Sequence, residues 1–177
     1  WGEPFLNSDL FQMIAYARSK GILIHCSTNG NVKLDESRVR GLIDSGLDTL
    51  IFGVDGATQE TYSRYRKGGD LGRVWENIRT VVQAKKEMAS PLPRLNLRFV
   101  VMRHNEQEIP TIKEMAKELE VDFLSFKTVD LPPAREEAFD DQYVPDNDRY
   151  RRYDYARGGY RRIKKPFVCM RPWKRIV

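Results

Sequence analysis

Five short polar or turn-rich stretches stand out in this chain, the first after Trp1 and the others each after an apolar run: Gly2-Glu3-Pro4, Ser27-Thr28-Asn29-Gly30, Gly53-Val54-Asp55-Gly56, Val101 to Asn105, and Lys127-Thr128-Val129-Asp130. If the apolar runs are parallel strands, these polar ends converge on one face, which is where α/β folds bind ligands. Gly, Asn and Asp also end strands with no ligand involved, so spacing alone leaves both readings open. Other chemistries are poorly served. His25 and His104 stand alone without a partner for a nucleophilic triad, and a lone His is most often a hydrogen-bonded structural residue. No Gly-x4-Gly-Lys-Ser/Thr loop occurs, and no Gly-x-Gly-x2-Gly follows a strand.

The elements that must position these stretches alternate in type. Leu10, Phe11, Ile14 and Ala17 recur at spacings of three and four from Ser8 to Lys20, with Gly21 at the stop position, which predicts a helix. Ile22 to Cys26 is a short apolar run expected to form a strand buried on both faces. A helix follows from Asp35 to Ser45, a strand from Thr49 to Val54, and a longer helix from about Leu71 to Met88 that Ser90-Pro91-Leu92-Pro93 breaks. Leu95 to Met102 is strand-like, Ile109 to Leu119 helical, and Phe123 to Val129 a strand. Strands separated by helices imply right-handed crossovers and a parallel sheet. Either a (β/α) barrel or an open doubly wound sheet satisfies the pattern.

Composition narrows the class. The chain has 177 residues, 41% of them apolar, enough to build a core at this length. No apolar run approaches the ~20 residues that cross a bilayer, and no secretory signal opens the chain. The two cysteines, Cys26 and Cys169, lie far apart, which argues against a disulfide scaffold and fits a reducing cytoplasm. The net charge of +5 is uneven. Between Arg149 and Lys165 eight basic residues meet one acid, Asp154, a balance of +7 that leaves −2 for all other residues. The basicity therefore belongs to one late segment.

One combination is more specific than its parts. Gly2-Glu3-Pro4 precedes a helix, the next strand closes on Thr28-Asn29-Gly30, and the one after closes on Val54-Asp55-Gly56-Ala57-Thr58-x-Glu60-x-Tyr62-x-x-Tyr65-Arg66-Lys67-Gly68-Gly69. This order resembles the radical S-adenosylmethionine (radical SAM) enzymes, and most of all the branch carrying a C-terminal SPASM extension with auxiliary iron–sulfur clusters. The likeness runs from Gly2 to about Val129 and resumes at Cys169-Met170-Arg171-Pro172-Trp173. It implies an α/β fold, a partial parallel (β/α) barrel of about five strands with an irregular C-terminal segment. The expected divisions are a partial barrel over 1–130, a basic Tyr/Arg-rich linker or lid over 131–166, and the start of the extension over 167–177.

The resemblance also implies roles. Gly2 and Glu3 match the segment that holds the methionyl ammonium of SAM, for which a carbonyl and a carboxylate are suitable acceptors. Arg66 matches an Arg that binds the SAM carboxylate, a task guanidinium performs bidentately. Several relatives have Ser where this chain has Gly53, so a hydroxyl contact is lost or supplied by Ser27 or Thr28. Ser27, Asn29, Asp55 and Val101 are further pocket candidates, Asp55 toward the ribose or the substrate. Cys169 matches the first auxiliary-cluster cysteine.

The family's [4Fe-4S] cluster needs a Cys-x3-Cys-x2-Cys loop, and two distant cysteines cannot supply it. Cys26 reads as a small core residue. Both ends look cut, so the loop is expected upstream of Trp1, and the piece alone is expected to be unable to cleave SAM. The implied parent is a cytoplasmic enzyme with no membrane segment. It would generate a 5′-deoxyadenosyl radical for hydrogen abstraction from a peptide or protein substrate, with electrons from a flavodoxin or ferredoxin. The rival is a non-catalytic α/β module binding RNA or an acidic partner through residues 149–165, where Tyr150, Tyr153, Tyr155 and Tyr160 stand among cations. The same segment also reads as a lid or linker, and nucleic acid is the less favoured of its partners.

Overall fold

A computed structural model describes residues 2–130, 142–154 and 161–162. Five helices, α1 (Leu10–Ser19), α2 (Glu36–Asp44), α3 (Gln59–Tyr65), α4 (Leu71–Glu87) and α5 (Ile109–Glu118), alternate with β1 (His25–Thr28), β2 (Thr49–Gly53), β3 (Arg94–Val101) and β4 (Phe123–Thr128). The four strands form one parallel sheet in the order β1-β2-β3-β4. Of the roughly five strands expected, the described residues place these four in the sheet. A separate antiparallel ladder joins β5 (Tyr153–Asp154) to β6 (Arg161–Arg162). Cys169 and the rest of 163–177 lie outside the described residues.

The topology decides between the two architectures left open by the sequence. Each strand pairs with the next in the chain, so the sheet has no point at which its order reverses, as a doubly wound sheet requires. The layering agrees. One apolar cluster contains Ile14, Leu42, Val74, Ile78 and Ile112 from the helices together with Leu50, Phe52, Leu95, Leu97, Phe99 and Val101 from the strands. All helices therefore cover one side of the sheet, and the opposite side is the inner face of a partial barrel.

Alternation along the strands shows which residues line that inner face. Parallel partners project to the same side, so the register gives three inner tiers: Ser27, Ile51, Asn96 and Phe123; then Gly53, Arg98 and Ser125; then Val100 and Lys127. On β3 the burial alternates with a period of two, every second residue entering the helix-side core.

Most helix boundaries fall within two residues of expectation, but two elements differ. The first strand begins at His25, leaving Ile22 and Leu23 at 55% and 52% exposure rather than buried on both faces. The cause is Asp48, whose carboxylate accepts the Ile24 N–H at 2.7 Å and the Arg18 guanidinium at 2.9 Å, so pairing with β2 starts only beyond that clamp. Helix α3 was hidden within the polar stretch after Gly56. Its N-terminus is capped by the Thr58 hydroxyl, which accepts the Thr61 N–H.

The loop after β1 is held from beneath by one buried amide. Asn77, 1% exposed on α4, accepts the Leu34 N–H at 2.9 Å and donates to the Gly30 and Val32 carbonyls at 2.7 and 2.8 Å. Truncation would strand three backbone groups, two of them buried and one part-buried, each costly to leave unpaired. Asn77→Ala is therefore expected to lower unfolding free energy by about 2–4 kcal/mol, read as an earlier urea midpoint with unchanged slope.

Candidate functional site

The carboxyl ends of β1 and β2 share a shallow cleft of about 430 Å³ lined by Asn29, Asn31, Tyr62, Tyr65, Arg66, Lys67, Gly68 and Gly69. On one flank stands Glu3, followed by a 3-10 turn over Pro4–Leu6. Its carboxylate accepts the Thr28 hydroxyl at 2.7 Å, the Asn29 N–H at 2.8 Å and the Phe5 N–H at 3.3 Å. These bonds fix the carboxylate against the end of β1: Oε1 accepts two of them, and Oε2, which accepts one, keeps acceptor capacity.

On the other flank is Arg66, at the C-cap of α3. Its Nε donates to Asp55 Oδ2 at 2.6 Å, and the Asp55 side chain is fully buried. Asp55 Oδ1 accepts the Val100 N–H at 2.7 Å, and its backbone carbonyl accepts from the Asn105 amide at 3.0 Å. Burial raises the Asp55 carboxyl above its ordinary value, against the opposing pull of the Arg66 guanidinium and the Val100 N–H. With Nε committed, the two terminal nitrogens of Arg66 remain for an acceptor in the cleft, the fork that suits a carboxylate.

Two glycines make this possible. A Cβ on Gly53 would lie 2.5 Å from Arg66 Nη2, so the guanidinium rests on the bare backbone of β2. A side chain at position 53 would displace the Arg66 fork from its present seat. A Cβ on Gly56 would meet the Tyr62 backbone nitrogen at 2.4 Å, so Gly56 permits α3 to pack directly on the end of β2. Tyr62 is wholly buried, and its hydroxyl accepts from the Asn31 amide at 3.1 Å.

The expected site residues thus separate into groups. Glu3, Asn29 and Arg66 flank or line one cleft, Asn29 touching Glu3 directly. Gly2 is exposed with open space around it, and Ser27 lies lower on the inner face. Asp55 cannot meet a ligand directly in this arrangement, because its carboxylate has no solvent access and is occupied by Arg66 and Val100. Val101 points away from the inner face: its side chain is 0% exposed and packs in the helix-side core, while Val100 faces inward. Cys26 is half-buried, and burial together with the nearby Glu3 charge pushes its thiol up to about 11, as suits a packing residue rather than a ligand. Among the described residues no group of three or more His, Cys, Asp or Glu is placed to hold a metal ion, so they do not fit an iron–sulfur cluster.

Sequence reasoning missed several participants. Asn105, wholly buried, bonds Asp55, Val100 and Met102 and so sets the end of β3. Glu106, 8% exposed, accepts the Asp146 and Asn147 N–H groups, each at 3.1 Å, and thereby docks residues 142–152 on the sheet's carboxyl end. There the Tyr143 ring stands 6.2 Å from both Tyr65 and His104, and Tyr150 lies 6.3 Å from Phe126. Burial lowers the His104 pKa, which keeps that ring neutral at pH 7. Arg98, in the middle inner tier, was read only as part of a strand, although Leu95-Asn96-Leu97-Arg98-Phe99 alternates apolar and polar residues. No helix among the described residues is long and apolar enough to cross a membrane.

Known proteins share this arrangement of strands and sequence. Fe-coproporphyrin III synthase of Methanosarcina barkeri is 30% identical over 125 residues, which are 71% of this chain and 29% of that protein. PqqA peptide cyclase of Gluconobacter oxydans is 33% identical over 118 residues, 67% of this chain and 31% of that protein. The chain thus spans about a third of the length of these relatives. A solved structure of anSMEcpe with AdoMet and the Cp18Cys peptide bound superposes with a TM-score of 0.60 at 21% identity, covering 80% of this chain and 40% of that one, a likeness of fold. The model of the Radical SAM superfamily matches residues 1–116, the span that contains the cleft and both of its flanks, and the chain belongs to that superfamily.

Proposed function

We propose that this chain supplies the SAM-binding half of a radical SAM barrel, with Glu3 and Arg66 gripping the two charged ends of the methionyl group. The carrying observation is that a fixed carboxylate and a fixed guanidinium flank one cleft, Glu3 through Asn29 and Arg66 through Asp55. An α-amino acid moiety is a zwitterion and needs that pair. Glu3 and the Gly2 carbonyl take the ammonium, Arg66 takes the carboxylate, and Asp55 positions Arg66 without touching the ligand. Bound SAM, reductively cleaved, supplies a 5′-deoxyadenosyl radical for hydrogen abstraction, and the protein's part is orientation and exclusion of water. Residues 142–152 wall one side of the mouth, which favours a lid over an RNA-binding arm. Of the cations described there, Arg151 pairs with Asp148 and Arg152 with Asp130.

The finer assignments are the [4Fe-4S] cluster on ligands outside these residues, a SPASM extension in which Cys169 ligates an auxiliary cluster, and electrons from a flavodoxin or ferredoxin. A peptide or protein substrate is supported by likeness to a peptide cyclase and to a peptide-bound structure. The 177 residues hold two cysteines, fewer than the three thiolates of the family's loop. Reconstituted with iron and sulfide and given dithionite and SAM, they are expected to release no 5′-deoxyadenosine above a protein-free control.

Calorimetry of SAM binding to the intact protein tests the grip. Arg66→Ala confounds binding with folding, because an uncompensated buried Asp55 costs about 3–5 kcal/mol. Arg66→Lys keeps a cation near Asp55 but loses the fork, so it is expected to retain its melting temperature while binding SAM about tenfold more weakly. Unchanged affinity removes Arg66 from the site.

The raised pKa of Asp55 sets a pH dependence. Its charged form orients Arg66, so SAM affinity is expected to fall on acidification, beginning at higher pH than for an ordinary carboxylate, with no such fall in Asp55→Asn. On the fold the sign is opposite. A carboxyl with a raised folded pKa holds its proton more readily in the native state, so its contribution to stability declines as pH rises through that range. Affinity profiles and melting temperatures collected over the same pH series separate the two effects.

A further inference from the structure

One group on the inner face is unexplained by the SAM grip. Arg98 is the β3 neighbour of Gly53 and the β2–β4 midpoint of the middle tier. Its Nε is buried and has no hydrogen-bond partner, and among the described residues its side chain takes part in no ion pair. Every other half-buried Arg on the inner or mouth side is tied to the protein: Arg66 to Asp55, Arg103 to Asp146, Arg151 to Asp148 and Arg152 to Asp130. One tier above Arg98, on the adjacent strand, Lys127 is exposed toward the same side and takes part in no ion pair among the described residues.

Guanidinium carries five donors in a fixed fork, and leaving one of them buried and unpaired costs free energy that a structural role would not repay. The inner face offers no compensation of its own. Its middle tier holds Gly53 and Ser125, and the Ser125 hydroxyl, which donates to Asn96 Oδ1 at 2.9 Å, takes no hydrogen bond from Arg98 Nε. The inner-face acid above, Asp55, is already neutralised by Arg66. A cation in that position is stabilised by an anion arriving from the mouth of the barrel, where substrates of parallel barrels enter.

We propose that the substrate presents a carboxylate to Arg98, with Lys127 adding positive potential one tier nearer the mouth. The inference rests on the family reading of the site and names the substrate chemistry of that same lumen: an acidic side chain or free carboxylate, set beside the SAM pocket rather than within it. Carboxylate is favoured over phosphate because a single planar fork matches two coplanar oxygens, whereas the inner tiers supply neither a glycine-rich loop nor a helix N-terminus for a third phosphate oxygen.

The test uses the intact protein labelled with ¹⁵N-arginine, titrated with glutarate, with the neutral isostere glutaramide and with inorganic phosphate. SAM affinity is measured on the same samples. Glutarate is expected to shift one Nε–H resonance saturably, the resonance absent from Arg98→Gln, while glutaramide leaves it in place. Arg98→Gln is expected to weaken glutarate binding about tenfold or more, to keep its SAM affinity and to melt no earlier than wild type, since it removes an unpaired buried donor. Lys127→Gln weakens glutarate by a smaller factor.

A protein that binds SAM but shows no saturable glutarate shift, or whose glutarate affinity survives Arg98→Gln, overturns the inference and leaves the family reading intact. A protein that binds glutarate at Arg98 but not SAM does the reverse. Phosphate binding more tightly than glutarate at Arg98 overturns the carboxylate assignment. An early-melting Arg98→Gln marks the residue as structural and overturns it as well.

Discussion

A carboxylate without solvent access must be compensated inside the protein, and around Asp55 that requirement organises the site. Compensation comes from the Arg66 guanidinium and the Val100 N–H, each within 2.7 Å. Arg66 can reach Asp55 only by lying over β2, which demands Gly53, and only from the end of α3, which demands that Tyr62 pack against Gly56. The ligand-facing fork of Arg66 is therefore a by-product of neutralising a buried charge. Its orientation comes from the protein interior and not from the ligand, which is the condition for a pre-organised binding group.

The same device recurs at both ends of the sheet. Asp48 caps the Ile24 N–H ahead of β1, Asp122 caps the Leu95 N–H in β3 at 2.7 Å, and Asp55 caps Val100 at the far end. Each carboxylate ties its own strand boundary to a neighbouring strand, and each takes a cation: Arg18, Lys85 and Arg66. At the lower end the cations serve the fold. At the carboxyl end the cation faces the cleft, so one packing solution yields structure on one side of the sheet and recognition on the other.

The α/β class, the parallel sheet and most helices were legible because apolar periodicity and strand-ending turns report burial directly. The choice between barrel and open sheet was not, since it depends on which side of the sheet each helix takes. Helix α3 escaped notice because its seven residues contribute one buried side chain, Tyr62, too few to mark a period. Glu3, Asn29 and Arg66 were singled out through an ordered motif; Asn29 and Arg66 line one cleft, and Glu3 adjoins it through its bond from the Asn29 N–H. Asp55 and Val101 were placed at the right strand ends with the wrong orientation. A motif fixes position along a strand, while the facing of a side chain near a strand end follows from where the twist and the next hydrogen bond leave it. The alternation Leu95-Asn96-Leu97-Arg98-Phe99 carried that information for Arg98 in plain view, because a strand covered on both sides has no reason to alternate.

Charge bookkeeping over the whole chain does not locate the cations of the inner face. The net +5 comes from the segment around 149–165, where Arg151 and Arg152 pair with acids of the chain itself. The remainder of the protein, with a balance of −2, contains Arg98 and Lys127, neither of which takes part in an ion pair among the described residues. What attracts an anion is the local potential in a low-dielectric recess, where a single uncompensated guanidinium outweighs several solvated or paired cations on a surface.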